Sequence, residues 1–235
     1  LDGSLASNTT VAAWLGILLY TFEIYFDFSG YSDMAIGMGR IFGFKYMENF
    51  RLPYTAVSIT DFWRRWHISL GAWMRDYVFY PFALTRPVSR MSKALKKKAG
   101  THIARALPAA LGNILVFLLV GVWHGAQMNY VLWGLYNGVI LAFTALVEPV
   151  YKRMNDRLPR LTASGGFHVF RILRTFLVVN IGWYFDRCVR VSDAFAMLHK
   201  TFFAFNAQQL FDGTLDTLGL AAKDYRILLV ATILL

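Results

Sequence analysis

Three stretches of nearly unbroken apolar residues, 11–28, 106–123 and 130–147, set the frame of the chain. Each is close to the roughly 20 residues that a helix needs to cross a bilayer. A shorter run at 172–185 follows Arg171 and Arg174, and a fifth at 227–235 is too short to span. The first stretch carries Glu23 and Asp27, and the string Asp27-Phe28-Ser29-Gly30-Tyr31-Ser32-Asp33 predicts an interrupted helix end. Gly37, Gly39 and Gly43 follow at a spacing that suits close helix packing through small residues. The second and third stretches read as a helical hairpin whose turn contains Trp123-His124-Gly125-Ala126. Between the first and second stretches the pattern changes. Residues 61–81 mix tryptophan with arginine and predict one interfacial helix that Pro81 stops. On it Trp63, His67, Leu70 and Met74 would share a face, as would Arg64 and Arg75, eleven residues or about three turns apart. Residues 86–105 are polar, rich in lysine and contain Gly100, and read as a loop.

Composition sharpens this picture. Of 235 residues 57% are hydrophobic and 16% are charged, where a soluble domain carries about 25% charged residues. Mean hydropathy is +0.43. The fold class is therefore an all-α polytopic membrane protein, a single membrane-embedded domain over residues 1–235. The net charge of +10 belongs to membrane-flanking segments rather than to a nucleic-acid surface. Eleven lysines and arginines lie between Arg51 and Arg105 against only Asp61 and Asp76, whereas 186–226 balances five acids against five bases. By the positive-inside rule, 86–105 is a basic cytoplasmic segment, its lysines suited to anionic lipid headgroups, and 186–226 is extracytoplasmic. The hairpin turn with His124 then sits at the outward end. The chain starts without methionine and stops inside an apolar run, as a piece of a longer multipass protein would. One cysteine, Cys188, allows no disulfide within the chain and no thiolate metal cage, and no metal site is expected.

The chemistry concentrates on few residues. An imidazole at membrane depth is costly and marks a functional site by default, and a neutral ring with a pKa near about 6.5 accepts a proton at working pH. His124 is thus the first candidate, with Gly125 leaving room for a substrate beside it. His67 is either an interfacial anchor with Trp63 and Trp66 or a second polar group facing the same cavity. Arg64, Arg65 and Arg75 suit lipid phosphate or the phosphates of an activated donor. Asp61 and Arg65 stand at i,i+4 and predict a helical ion pair. No HExxH, P-loop or GxSxG string occurs.

Taken in order, the strings 25–33 (YFDFSGYSD), Asn49-Phe50, Pro53-Tyr54, 61–70 (DFWRRWHISL), Arg75-Asp76-Tyr77, Gly121-Val122-Trp123-His124-Gly125 and Trp133-Gly134-Leu135-Tyr136 resemble the membrane-bound O-acyltransferase family. They are most similar to its bacterial branch of alginate O-acetylation and teichoic-acid D-alanyl transfer proteins. The resemblance is dense over residues 20–145. It implies a helical bundle with interfacial and re-entrant helices, of which this chain would be the C-terminal part. His124 takes the place of the family's essential histidine and His67 that of its second polar residue. Arg64, Arg65, Arg75, Trp63 and Trp123 would contact the donor or a partner.

The implied activity is acyl transfer, acetyl first, from a cytoplasmic thioester (acetyl-CoA or an acyl-carrier protein) to a hydroxyl that reaches His124 from the outer side or through a relay protein, for O-acylation of an extracytoplasmic polysaccharide such as alginate or a related exopolysaccharide, in the bacterial cell membrane. No tightly bound cofactor is expected. A separate extracytoplasmic acyltransferase would complete delivery. D-alanyl transfer to teichoic acid is the alternative donor chemistry. A proton-coupled transporter and a non-catalytic membrane scaffold are the alternative classes. His124 as general base and His124 as a covalent acyl carrier both remain open on sequence.

Overall fold

A computed structural model of the chain describes residues 10–203 continuously and, beyond them, only residues 208, 223, 224, 226, 227, 229 and 230. Within the continuous stretch the regular elements are all helical. They are α1 (Thr10–Ile41), a 3-10 turn (Pro53–Thr55), α2 (Ile59–Arg65), α3 (Ile68–Met74), a π turn (Arg75–Phe79), α4 (Tyr80–Ala83), α5 (Arg86–His124), α6 (Met128–Arg157), α7 (Pro159–Thr162), α8 (Gly165–Arg187) and α9 (Val191–Phe203). The all-α membrane class read from the pattern is the one that forms. Helices α1, α5 and α6 are long and apolar enough to cross a membrane, and they contain the three predicted spans. Residues 172–185 fall in α8, which is not among them, and most of the run 227–235 lies outside the described residues. A helix suits hydrocarbon because its backbone N–H and C=O groups bond within the segment.

The chain divides into two compact units, Leu1–Tyr46 with Val179–Leu235, and Met47–Val178. In the first, α1, the last turns of α8 and α9 are tied by polar groups set among apolar ones. The buried Tyr184 hydroxyl lies 2.8 Å from Thr201 Oγ1 and donates to the Ala13 carbonyl at 3.2 Å. Thr21 donates to Asn180 Oδ1 at 2.7 Å, and the Trp14 indole donates to the Thr201 carbonyl at 3.0 Å. Ile17, Ala194 and Met197 fill the space between these bonds. Buried hydroxyls and amides without partners would be costly, and pairing them in this way fixes helix register.

The second unit is built on the α5–α6 hairpin. The Cβ that Gly134 lacks would run into the Phe117 carbonyl oxygen, and one on Gly138 would lie 2.9 Å from Ile114 Cα. The two helices therefore meet backbone to backbone, the arrangement that small residues permit. Farther along, His102 Nε2 bonds the Leu146 carbonyl at 3.0 Å. Aromatic rings of Phe79 and Phe82 cover Gly112 on α5. From α8, Arg174 donates to the Val57 carbonyl at 3.1 Å and so pins the loop before α2.

Several local expectations are overturned. Residues 86–105 are not a loop: Arg86 to Ala99 is helical, Gly100 takes φ 86° and ψ 175°, and helix resumes to His124. The segment is helical because Val88, Met91, Ser92 and Leu95 recur at helical spacing on a less exposed stripe, with Ser92 donating to the Ala104 carbonyl at 2.8 Å across the kink. Helix α1 runs unbroken through Ser29-Gly30, with Asp27 and Asp33 exposed. A single glycine weakens a helix by only about 1 kcal/mol, too little to end one held by tertiary packing. Gly43 does not pack a helix either; at φ 79° it lies just beyond the end of α1. Of the predicted small-residue motif only Gly39 is covered, by the Tyr46 ring. Finally, 61–81 is not one helix. It breaks at Trp66-His67 and passes through a π turn, and Pro81 lies in the first turn of α4 rather than stopping a helix.

Candidate acyl-transfer site

The break between α2 and α3 is specified from upstream. Ser58 caps α2 by accepting the Asp61 N–H at 3.1 Å, while the Asp61 carboxylate accepts the Val57 N–H at 3.1 Å, a near relative of the capping box. The predicted pair forms, Arg65 Nε meeting Asp61 Oδ1 at 2.9 Å. Burial alone would raise the Asp61 carboxyl, but the Arg65 hydrogen bond and the Val57 N–H hold it below the usual carboxylate range. Trp66 then turns extended and buries its ring against Phe50, Tyr54 and Phe62. His67 follows at φ 45° and ψ 56°, a left-handed conformation uncommon for a residue with a Cβ.

Residues 49–51 satisfy the backbone groups that this break would orphan. The Arg51 N–H donates to the Arg65 carbonyl at 3.0 Å, and the Ile68 N–H donates to the Asn49 carbonyl at 3.0 Å. Asn49 Oδ1 accepts the Ser69 N–H at 3.0 Å and the Ser69 hydroxyl at 2.6 Å, and lies 3.2 Å from His67 Nδ1. Burial, and then the nearby His124, push the His67 imidazole below its ordinary pKa. The two candidate histidines thus stand close enough for the charge of one to oppose that of the other, although they lie 57 residues apart in sequence.

His124 is the last residue of α5, exposed, with three aromatic rings about it. Its ring centroid lies 5.0 Å from Trp123 and 5.0 Å from Trp133, both edge to face, and 6.2 Å from Tyr130 in a stacked arrangement. Trp133 in turn meets Trp63 at 5.8 Å, and Trp63 meets Phe117 at 4.9 Å. A continuous aromatic wall therefore joins α2 to the imidazole of α5. The space a Cβ on Gly125 would take is occupied by the Tyr130 ring, 2.7 Å away. That glycine makes space for Tyr130.

The remaining predicted residues separate. Trp63 and His67 do not share a helical face, because the left-handed turn resets the register between α2 and α3. The same break and the π turn remove the common face of Arg64 and Arg75. Arg65 is engaged by Asp61 and by Thr55, whose hydroxyl it reaches at 3.1 Å. Arg75 is exposed and paired with the neighbouring Asp76 at 2.8 Å. Arg64 and Trp123 are exposed. Asn49, Ser69, Tyr130 and Trp133 had no predicted role, and their place at the site follows from contacts between distant segments rather than from local pattern.

A helical protein with helices long and apolar enough to cross a membrane, and with one histidine at the end of a hairpin acting electrostatically on another, is the class that fold and site define. The profile of the membrane-bound O-acyltransferase family, MBOAT, matches residues 2–181. A probable alginate O-acetylase AlgI of Pseudomonas syringae pv. tomato is 41% identical over 208 residues, which is 88% of this chain and 34% of that protein. A peptidoglycan O-acetyltransferase of Helicobacter pylori is 35% identical over 82% of this chain and 32% of its own length. A teichoic acid D-alanyltransferase of Bacillus subtilis is 34% identical over 72% of this chain and 40% of its own. The chain belongs to the membrane-bound O-acyltransferase family. It spans about a third of the length of the alginate O-acetylases that it matches.

Proposed function

We propose that this chain carries the histidine site of an O-acyltransferase that moves an acyl group, acetyl first, from a cytoplasmic thioester across the membrane to an acceptor hydroxyl, for O-acylation of an extracytoplasmic polysaccharide of the alginate kind. The observation that carries the reading is the electrostatic proximity of His67 to His124, whose ring packs on Trp123 and on Trp133, itself in contact with Trp63. In the step itself His124 takes the proton of the acceptor hydroxyl. The oxygen attacks the thioester carbonyl carbon, the carbon–sulfur bond breaks, and the thiolate leaves and takes up the proton. Arg64, exposed at the end of α2, suits the donor's phosphates. Acetyl-CoA or an acyl-carrier protein would supply the thioester from the cytoplasm, and a separate extracytoplasmic acyltransferase would finish delivery, in a bacterial cell membrane.

D-alanyl transfer uses the same chemistry, and similarity to the teichoic acid D-alanyltransferase favours it as the second reading. The test supplies labelled acetyl or D-alanyl thioester to the full-length protein in membrane vesicles with an acceptor glycan. General-base removal typically costs about 10²- to 10⁴-fold, so His124→Ala, checked for folding, should lose transfer by that factor. Undiminished transfer in that variant overturns the reading, and the label that moves decides between the two donors. Substrate flux without label transfer would instead mark a transporter.

A further inference from the structure

We infer that Asn49 is a positioning residue that fixes His67 as the Nδ1–H tautomer, so that Nε2 of the neutral ring carries the lone pair and works as a proton or hydrogen-bond acceptor. The catalytic consequence rests on the acyl-transfer reading; the tautomer does not.

The argument starts at an atom whose role is unambiguous. A backbone N–H only donates, and the Ser69 N–H points at the Asn49 side chain at 3.0 Å. The atom it meets is therefore the amide oxygen and not the NH₂ group, which would repel it. The Ser69 hydroxyl, at 2.6 Å, agrees. An amide oxygen has no hydrogen to give, so His67 Nδ1, at 3.2 Å from it, must carry one. In a neutral imidazole only one nitrogen is protonated, and the hydrogen bond made by one nitrogen sets the state of the other. Nε2 is then the basic atom.

The clamp is held on more than the side chain. The Asn49 carbonyl accepts the Ile68 N–H at 3.0 Å, so the main chain of Asn49 is docked on the residue after His67. The left-handed turn at His67 brings its ring and the N–H of Ser69 to one oxygen. A continuous helix through residue 67 would direct the Ser69 N–H to the Arg65 carbonyl instead.

The ring is also kept neutral. The titratable group acting on it from α5 is His124, and a positive charge on both rings at once is opposed. On α2, Arg65 and Asp61 are bonded to each other, and Glu48 and Arg51, flanking Asn49, are exposed. A neutral ring with Nδ1–H held by Asn49 cannot donate from Nε2. A donor role for His67 toward a developing oxyanion is therefore not the one this geometry supports.

The test has two arms on the full-length protein in nanodiscs. The first needs no turnover. With ¹⁵N-labelled histidine, the His67 resonances, assigned by their loss in His67→Asn, should show a pyridine-type Nε2 and a pyrrole-type Nδ1 near pH 7.5. The reverse pattern overturns the inference even if acyl transfer is confirmed. The second arm reads the pH profile of transfer. Asn49→Asp keeps the acceptor oxygen and adds a negative charge, so the acid limb should move up by about 1 pH unit with transfer retained at high pH. Asn49→Leu, which removes the acceptor, should lose transfer at least tenfold. An acid limb that stays in place in Asn49→Asp would mean that the ring facing residue 49 does not set the profile, and that result overturns the positioning role. If no thioester transfer is seen in wild type, the proposed function fails while the resonance pattern still decides the tautomer.

Discussion

His67 combines a left-handed backbone with a ring that resists protonation, and the two properties can be separated by substitution. Asn is among the few residues that adopt this backbone readily, so His67→Asn keeps the turn while removing the titrating ring. Burial and His124 lower the folded-state pKa of His67 relative to an unfolded value of about 6.5. The unfolded chain then binds more protons in that window, so stability is fully present above about pH 6.5 and is lost as pH falls through the lower folded value. The thermal midpoint of the purified protein should decline below about pH 6.5, and the decline should be shallower in His67→Asn. Asp61 does not confuse the measurement, because its carboxyl titrates below the ordinary carboxylate range, far from this window. His124 stood out in the sequence as a candidate by its cost near hydrocarbon. The conformation of His67 was not legible there, because Asn49 enforces it from 18 residues upstream.

At the level of elements, the α5–α6 hairpin depends on glycines rather than on bulky knobs. Replacing Gly134 with leucine would drive a side chain into the Phe117 carbonyl, which the helices can relieve only by moving apart. Overpacking of this kind typically costs about 1–3 kcal/mol. Gly134→Leu should therefore lower the thermal midpoint in detergent and, by shifting Trp133 away from His124, reduce transfer as well. Gly37→Leu, on the exposed side of α1 with open space around its Cβ, should leave the midpoint near wild type. The hairpin and its turn were readable from two apolar runs of spanning length. The breaks were not: periodicity across 61–81 is continuous, and only docking by Asn49 and Arg51 interrupts it. Conversely, 86–99 looked like a loop by charge, yet its stripe from Val88 to Leu95 holds a helix.

For the whole molecule, the distribution of charge sets an expected topology. No acidic residue occurs from Tyr77 to Val147, so all of α5 and α6 as far as Val147 carry only basic or neutral side chains. Residues 101–124 of α5 rise roughly 36 Å at about 1.5 Å per residue, enough to cross a hydrocarbon core of about 30 Å. In a Cys188→Ser background, Lys97→Cys should react with a membrane-impermeant thiol reagent only from the cytoplasmic face, and Gln127→Cys only from the opposite face. Labelling of both from one face would refute the orientation.

The backbone contact between α5 and α6 also bears on how the protein meets bilayers of different thickness. A lone helix answers hydrophobic mismatch by tilting or sliding. Two helices whose main chains touch at Gly134 and Gly138 have no slack between them and must tilt as one body. The imidazole at the end of one and the indole on the other then keep their spacing while the lipid changes around them, so the geometry of the site is insulated from membrane composition.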